Sequence, residues 1–201
     1  MGENQCVFCV RSKLEERIIY ENEKYYVVAT LGQIKLGYTL LIPKRHVLCF
    51  GAMTKLEIEE ATAMISCLDR YTAEEFHCSP IIFENGIVGQ TIKHAYLHFV
   101  PASLQLTERV KIDFPGKEMD IVPSLDWVRL MYSDRQTPYL FWNDCNRKSV
   151  ICWNPPAPLY YFRKIIAEML GVPERADWRA MDSGVDRRLW SETVIRLKKY
   201  F

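Results

Sequence analysis

The sequence predicts an α+β fold: an antiparallel sheet with a helix packed on it, followed by a C-terminal hairpin-and-helix extension. Two pairs of short runs rich in β-branched and aromatic residues carry the sheet, 24–29 with 38–42 and 80–84 with 92–100. One long stretch with helical spacing, 54–76, separates the pairs. Beyond residue 102 the order changes to a hairpin and then helices, with no flexible linker between the halves.

The elements follow in order. Lys24-Tyr-Tyr-Val-Val-Ala reads as a strand, and Gly32 and Gly37 punctuate the connection to a second strand, Tyr38-Thr-Leu-Leu-Ile, closed by Pro43. Leu56, Ile58, Ala61, Met64, Ile65 and Leu68 recur at helical spacing, and Thr54 with Glu57 three residues on forms a capping box. Pro80-Ile-Ile-Phe-Glu is a third strand; a turn from Asn85-Gly86 to Gly89 leads into a fourth, Ile92 to Val100, ended by Pro101. Residues 138–142 and 149–153 read as a hairpin around Asn143-Asp144-Cys145-Asn146. Helices are expected over 158–170, ended by Gly171, and over 186–199. The boundary between a core of 1–105 and an extension of 106–201 follows from this change of pattern, the extension packing on the core.

Composition narrows the functional classes. Of 201 residues, 49% are apolar and 25% charged, with a formal net charge of +1. That is a globular composition, and its balance carries no signal for a nucleic-acid or acidic-membrane partner. The N-terminal Met1-Gly-Glu-Asn-Gln lacks the basic and apolar regions of a secretory signal, and no apolar run approaches the roughly 20 residues that span a bilayer. Seven cysteines, five of them scattered singly, fit a reduced compartment. A soluble, cytoplasmic protein is expected.

The other two cysteines, Cys6 and Cys9, form a C-x-x-C pair. Such a pair can be a redox couple, half a metal site or two buried small side chains. Among the four histidines, His46 directly follows the second strand and His94 lies within the predicted fourth strand. Two thiolates and two imidazoles would make a closed tetrahedral structural site, although the spacing is not that of a zinc finger.

Three segments together point to a known family. Gly89-Gln-Thr-Ile-Lys-His-Ala-Tyr-Leu-His-Phe-Val-Pro101 resembles the histidine-triad (HIT) signature of glycine-glutamine followed by histidines alternating with apolar residues. Gly37-Tyr-Thr-Leu-Leu-Ile-Pro-Lys-Arg-His-Val resembles the family's segment ending in proline-lysine-x-histidine, and Cys6-Val-Phe-Cys9 its N-terminal C-x-F-C. The segment from Phe162-Arg163 to Asp177-Trp178-Arg179 resembles, more weakly, the C-terminal extension of some bacterial and phage relatives. The resemblance implies a HIT-like sheet, a nucleotide or nucleoside phosphate ligand, and a structural zinc held by Cys6, Cys9, His46 and His94. It implies phosphate-facing roles for Gly89, Gln90 and Thr91, a substrate-facing loop at Glu84, Asn85 and Gly86, and homodimerisation, which the extension could replace.

In such proteins the middle triad histidine attacks a nucleoside α-phosphorus and forms a nucleotidyl-imidazole. Here that position is Tyr96, while the outer His98 is kept. Strand alternation puts 94, 96 and 98 on one face. A phenol of pKa about 10 is largely protonated at neutral pH, where an imidazole offers a lone pair. Tyr96 and His98 are therefore the catalytic candidates under three readings: nucleotidyl hydrolase or transferase chemistry at an altered site, nucleotide binding without turnover, or recruitment of Tyr96 to acid/base chemistry. Tyr38 stands where the family has a histidine after glycine. Gln33 is the nearest counterpart of the usual ribose-contacting residue. Among the extension's arginines, whose forked donors suit phosphate, Arg163 joins the substrate-binding candidates. Trp178 and Trp190 are expected as core anchors and His77 as a helix cap.

Overall fold

The computed structural model describes residues 6–201 and shows eight strands and five helices. The strands are β1 (Ile18–Glu21), β2 (Tyr25–Ala29), β3 (Thr39–Pro43), β4 (Ile81–Gly86), β5 (Leu97–Val100), β6 (Met119–Ile121), β7 (Tyr139–Asn143) and β8 (Ser149–Trp153). The helices are α1 (Lys55–Phe76), α2 (Leu106–Asp113), α3 (Leu125–Arg135), α4 (Tyr161–Met169) and α5 (Ser183–Lys198). All strands join one sheet in the order β1-β2-β3-β5-β4-β7-β8-β6, and every pairing between them is antiparallel. The fold class is α+β, as the sequence predicts.

Strand alternation sorts the apolar side chains into two cores. Tyr26 and Val28 of β2 enter one cluster, which also holds Phe83, Trp142 and Phe162. Tyr25, Val27 and Ala29 enter the other, with Leu41, Phe99, Tyr139 and the buried face of α1. Each fully buried side chain of this size contributes roughly 1.5–3 kcal/mol relative to exposure. The capping box at Thr54 forms: its side chain accepts from Glu57 N, and Glu57 Oε2 accepts from Thr54 N at 2.8 Å.

The C-terminal half enters the same sheet. β7 runs along β4 from Phe83↔Trp142 to Gly86↔Tyr139. Helix α5 then returns to the connection after β2: Asp186 Oδ1 accepts from Gly32 N at 2.8 Å and Gln33 N at 3.1 Å, and Thr193 Oγ1 accepts from Gly37 N at 2.9 Å. Gly32 has φ +66°, and a Cβ there would lie 2.2 Å from Trp178 Cβ, so this turn needs glycine.

Several boundaries differ from expectation. The fourth predicted strand pairs only from Leu97, so His94 lies outside the ladder. Before it, Ala95 N donates to Val47 O at 2.6 Å, tying the chain to the loop after β3. Alternation still holds over the end of this run: Ala95, Leu97 and Phe99 enter one cluster, Tyr96 and Val100 the other. Helix α4 begins at Tyr161, because Tyr160 sits at φ 64° in the left-handed region. His77 is the C-cap of α1, also left-handed, at φ 53°. Strands β1 and β6 and helices α2 and α3 were not expected.

Candidate functional site

The end of the sheet carrying β3 and β5 holds two neighbouring features. The first is a convergence of Cys6, Cys9, His46 and His94, whose ligand atoms all lie within 4.8 Å of one another. Cys6 Sγ is 3.5 Å and Cys9 Sγ 3.6 Å from His94 Nδ1; Cys9 Sγ is 3.3 Å from His46 Nδ1, and the two Nδ1 atoms are 3.2 Å apart. His94 Nε2 lies 2.8 Å from Pro43 O. The carbonyl can only accept, so Nε2 carries the proton and Nδ1 faces the cluster with its lone pair. Burial holds the His94 pKa down, to about 4, which keeps this ring neutral. Four soft or borderline donors arranged in this way could hold a metal ion.

The second feature is a cavity of about 220 Å³ beside it, walled by both halves of the chain. Lys13, Arg17 and Arg163 line it, and among the described residues no carboxylate does. Arg163, 6% exposed, comes from α4. Its guanidinium donates to the main-chain carbonyls of Gly32 (2.7 Å), Ala176 (3.0 Å) and Arg175 (3.0 Å), so its charge has hydrogen bonds without a counter-charge in the wall. Phe8, Tyr160 and Trp178 supply aromatic surface, and Asn85, Gly89 and Thr91 polar backbone and side chains. Asn85 Oδ1 is buried without a hydrogen-bond partner among the described residues.

Tyr96 and His98 also face the cavity. Their rings meet edge to face at 4.8 Å, and Phe83 stacks on His98 at 4.2 Å and 13°. Burial raises the Tyr96 pKa above that of an ordinary phenol, with Thr91 and the Ile92 backbone offsetting part of this. Burial and the charge of Arg163 push the His98 pKa well below the usual imidazole value, so this ring is neutral. Its Nδ1 lies 2.6 Å from the Tyr38 hydroxyl, and its Nε2 has no partner among the described residues.

Of the residues singled out from sequence, the fold brings Asn85, Gly89, Thr91, Tyr96, His98 and Arg163 to the cavity wall. Gln33 is not there. Its side chain is consumed as an internal clip, donating to Thr30 O (3.1 Å) and Tyr38 O (2.7 Å) and accepting from Tyr38 N (3.2 Å) and Thr193 Oγ1 (3.2 Å). Gln90 is buried and outside the wall, its amide donating to Leu48 O at 2.7 Å and His94 O at 3.3 Å. Glu84 belongs to β4 and points to the opposite face, accepting from Phe50 N (2.8 Å) and the Tyr139 hydroxyl (2.7 Å). Trp178 lines the cavity, whereas Trp190 packs partly buried against the α1-side core. Lys13, Arg17, Tyr160 and the role of Tyr38 were not foreseen. The only sequence signal for the two cations was their place just after the C-x-x-C pair.

Comparison with known proteins matches residues 11–104 to the HIT domain family. An uncharacterised HIT-like protein of Mycoplasma genitalium is 27% identical over 103 residues, 49% of this chain and 73% of that protein. A zinc finger CCCH domain-containing protein of Oryza sativa is 29% identical over 197 residues, 88% of this chain and 31% of that protein, so this likeness runs through both halves. A zinc-bound histidine triad family protein from Mycobacterium smegmatis is 22% identical with a TM-score of 0.43, covering 67% of this chain and 98% of that one. Over residues 11–104, then, the chain matches the HIT domain, as its signature segments lead one to expect.

Proposed function

We propose that the cavity receives the phosphate end of a nucleotide, in a protein built on the nucleotidyl hydrolase and transferase plan whose position 96 does not form the covalent intermediate. The observation that carries this is the wall itself: three cationic side chains, no carboxylate, and aromatic surface beside them. Guanidinium groups suit phosphate oxygens, and a wall with three cations and no carboxylate among the described residues favours anions, with buried Asp186 offsetting part of the Arg17 charge. Tyr96 offers a protonated phenol, a far weaker nucleophile than a neutral imidazole.

The neighbouring cluster fits zinc. Bonds of about 2.3 Å to sulfur and 2.0–2.1 Å to nitrogen give tetrahedral edges of about 3.6 Å between S and N and about 3.3 Å between two N. Three of the four S–N separations here are 3.3–3.6 Å and the N–N separation is 3.2 Å, with all four ligand atoms within 4.8 Å of one another. When bound, a metal with all four positions filled by protein would act as a staple. Cys6 and Cys9 would then fix the N-terminal segment, with Phe8 and Lys13 on it, against His46 and His94.

The core of 1–105 then supplies the nucleotide site, and the extension of 106–201 completes its wall through Tyr160, Arg163 and Trp178. In this reading the extension takes the part that a second copy would play in a homodimer. Among the described residues no helix is long and apolar enough to cross a membrane; a cytoplasmic location belongs to this proposal. A second reading, turnover at the nucleoside α-phosphate, draws on Thr91 and His98 lining the same cavity as Tyr96.

The test compares the parent chain with Tyr96→His on adenosine phosphoramidate and dinucleoside polyphosphates, following product and the intact mass of the protein. The parent is expected to show neither turnover nor a nucleotidyl adduct, and Tyr96→His to gain both. Turnover by the parent that Tyr96→Phe abolishes would refute the binding reading.

A further inference from the structure

We infer that Trp178 and Tyr160 form a platform on which the nucleobase of the bound nucleotide stacks, so that the C-terminal extension holds the base while the cationic wall meets the phosphate; this rests on the nucleotide reading above. Both side chains are half-buried and line the cavity, and both lie outside the segment that matches the HIT domain. They arrive on two separate loops of the extension, and each loop is seated on a glycine of the core. A Cβ at Gly89 would lie 2.5 Å from Pro158 O, two residues before Tyr160. A Cβ at Gly32 would lie 2.2 Å from the Cβ of Trp178 itself. At either place a larger residue would displace the loop that carries the ring.

The two rings are tied into one layer. The Arg179 guanidinium lies over Trp178, 4.5 Å from the ring centre, and 5.9 Å from that of Tyr160, whose hydroxyl it also contacts. Arg179 is exposed and is not part of the cavity wall, so it braces this layer from the solvent side. Tyr160 sits at φ 64°, an unfavourable backbone for a bulky residue, which the seat on Gly89 and the contact with Arg179 hold in place. Phe8, the other aromatic named in the wall, is committed elsewhere: it is 4% exposed and packs edge to face on His94 and Tyr96 at 5.7 and 5.1 Å.

Arg163 sets the spacing between platform and phosphate. It lines the cavity and donates to the carbonyls of Arg175 and Ala176, the second of these two residues before Trp178. Two residues of chain span at most about 7 Å, so this cation and the indole lie within the reach of a single nucleotide. A π surface fixed before the ligand arrives, beside a cation, suits a planar heterocycle that carries a phosphate. A sugar phosphate without a base would leave that surface unused.

Isothermal titration of the full chain with AMP, ribose 5-phosphate and adenosine separates base from phosphate. In the parent, AMP is expected to bind at least about fivefold tighter than ribose 5-phosphate, the low end of what one stacked base contributes. Trp178→Ala keeps the Cβ that rests on Gly32 and removes only the indole. It is expected to weaken AMP by about fivefold or more and to hold ribose 5-phosphate within about twofold, which also shows the variant to be folded. Trp178→Phe, which retains a ring, is expected to recover most of the loss. A Trp178→Ala chain that loses AMP and ribose 5-phosphate alike overturns the inference. A parent that binds the two equally overturns it as well and leaves the phosphate reading standing. Adenosine binding that Trp178→Ala abolishes, in a chain that holds AMP no tighter than adenosine, upholds the platform and refutes the phosphate reading.

Discussion

Glu84 offers a quantitative check on the sheet that carries the site. Its carboxyl is fully buried on β4, one residue before the cavity-facing Asn85, between the Phe50 amide and the Tyr139 hydroxyl. Burial pushes its pKa up to about 7 from 4.5, against the two hydrogen bonds that favour the ionised form. The native state therefore holds this proton more tightly than the unfolded chain does. Stability from this group is fully present below pH 4.5 and is lost as pH rises through about 7. At about 1.4 kcal/mol per pH unit across that interval, the loss amounts to about 3 kcal/mol. Glu84→Gln keeps an acceptor in place and removes the titration. Urea unfolding of both proteins should be run from pH 4.5 to 8, comparing the difference between them so that titrations common to both cancel. The Glu84→Gln variant should gain on the parent steadily as pH rises and level off above about 7.5, by about 3 kcal/mol. A difference that stays flat with pH, or that favours the parent at high pH, would refute the assignment of a neutral buried carboxyl.

Two further perturbations probe the site's supports. Cys6→Ser removes one of four converging ligands, so metal per chain by elemental analysis should fall from about one to near zero, with a lower Tm; unchanged zinc would sink the metal assignment. Gly32→Ala places a Cβ 2.2 Å from Trp178 Cβ and 2.8 Å from the Arg163 guanidinium at φ +66°, so it should cost at least about 1–3 kcal/mol in urea unfolding and weaken AMP binding; wild-type stability would contradict the tight turn.

Much of the sheet was legible in sequence because its signals are local. Thr54 and Glu57 announce α1, and the alternating runs around Asn143-Asp144 announce the β7–β8 hairpin. The missed elements carry weak patterns. Helix α2 buries only Leu106 and Val110, and its first turn is capped from afar by buried Asp144, which accepts from Leu106 N at 2.6 Å. Helix α3 had a readable start in Ser124, whose side chain accepts from Trp127 N at 3.1 Å. The convergence of Cys6, Cys9, His46 and His94 was readable because these residue types are few in the chain: two close cysteines and two of only four histidines. The cavity was half readable. Tyr96, His98 and Thr91 sit in a contiguous signature, whereas Lys13, Arg17, Tyr160 and Trp178 arrive from distant segments, and no local spacing encodes that meeting. Gln33 shows the converse error: a polar residue in the expected connection proved to be a backbone clip. Trp178 was read as core and forms a wall of the cavity, because burial against Gly32 and exposure to the cavity occur on one side chain.

In the proposed function the phosphate, facing Lys13, Arg17 and Arg163 on the cavity wall, dominates recognition. Isothermal titration of the metal-loaded chain with AMP and with adenosine, at one salt concentration, tests it most directly. Saturable AMP binding at least about tenfold tighter than that of adenosine is expected, the worth of a charge-assisted hydrogen bond. Equal affinity for the two, or no binding of AMP, would contradict it.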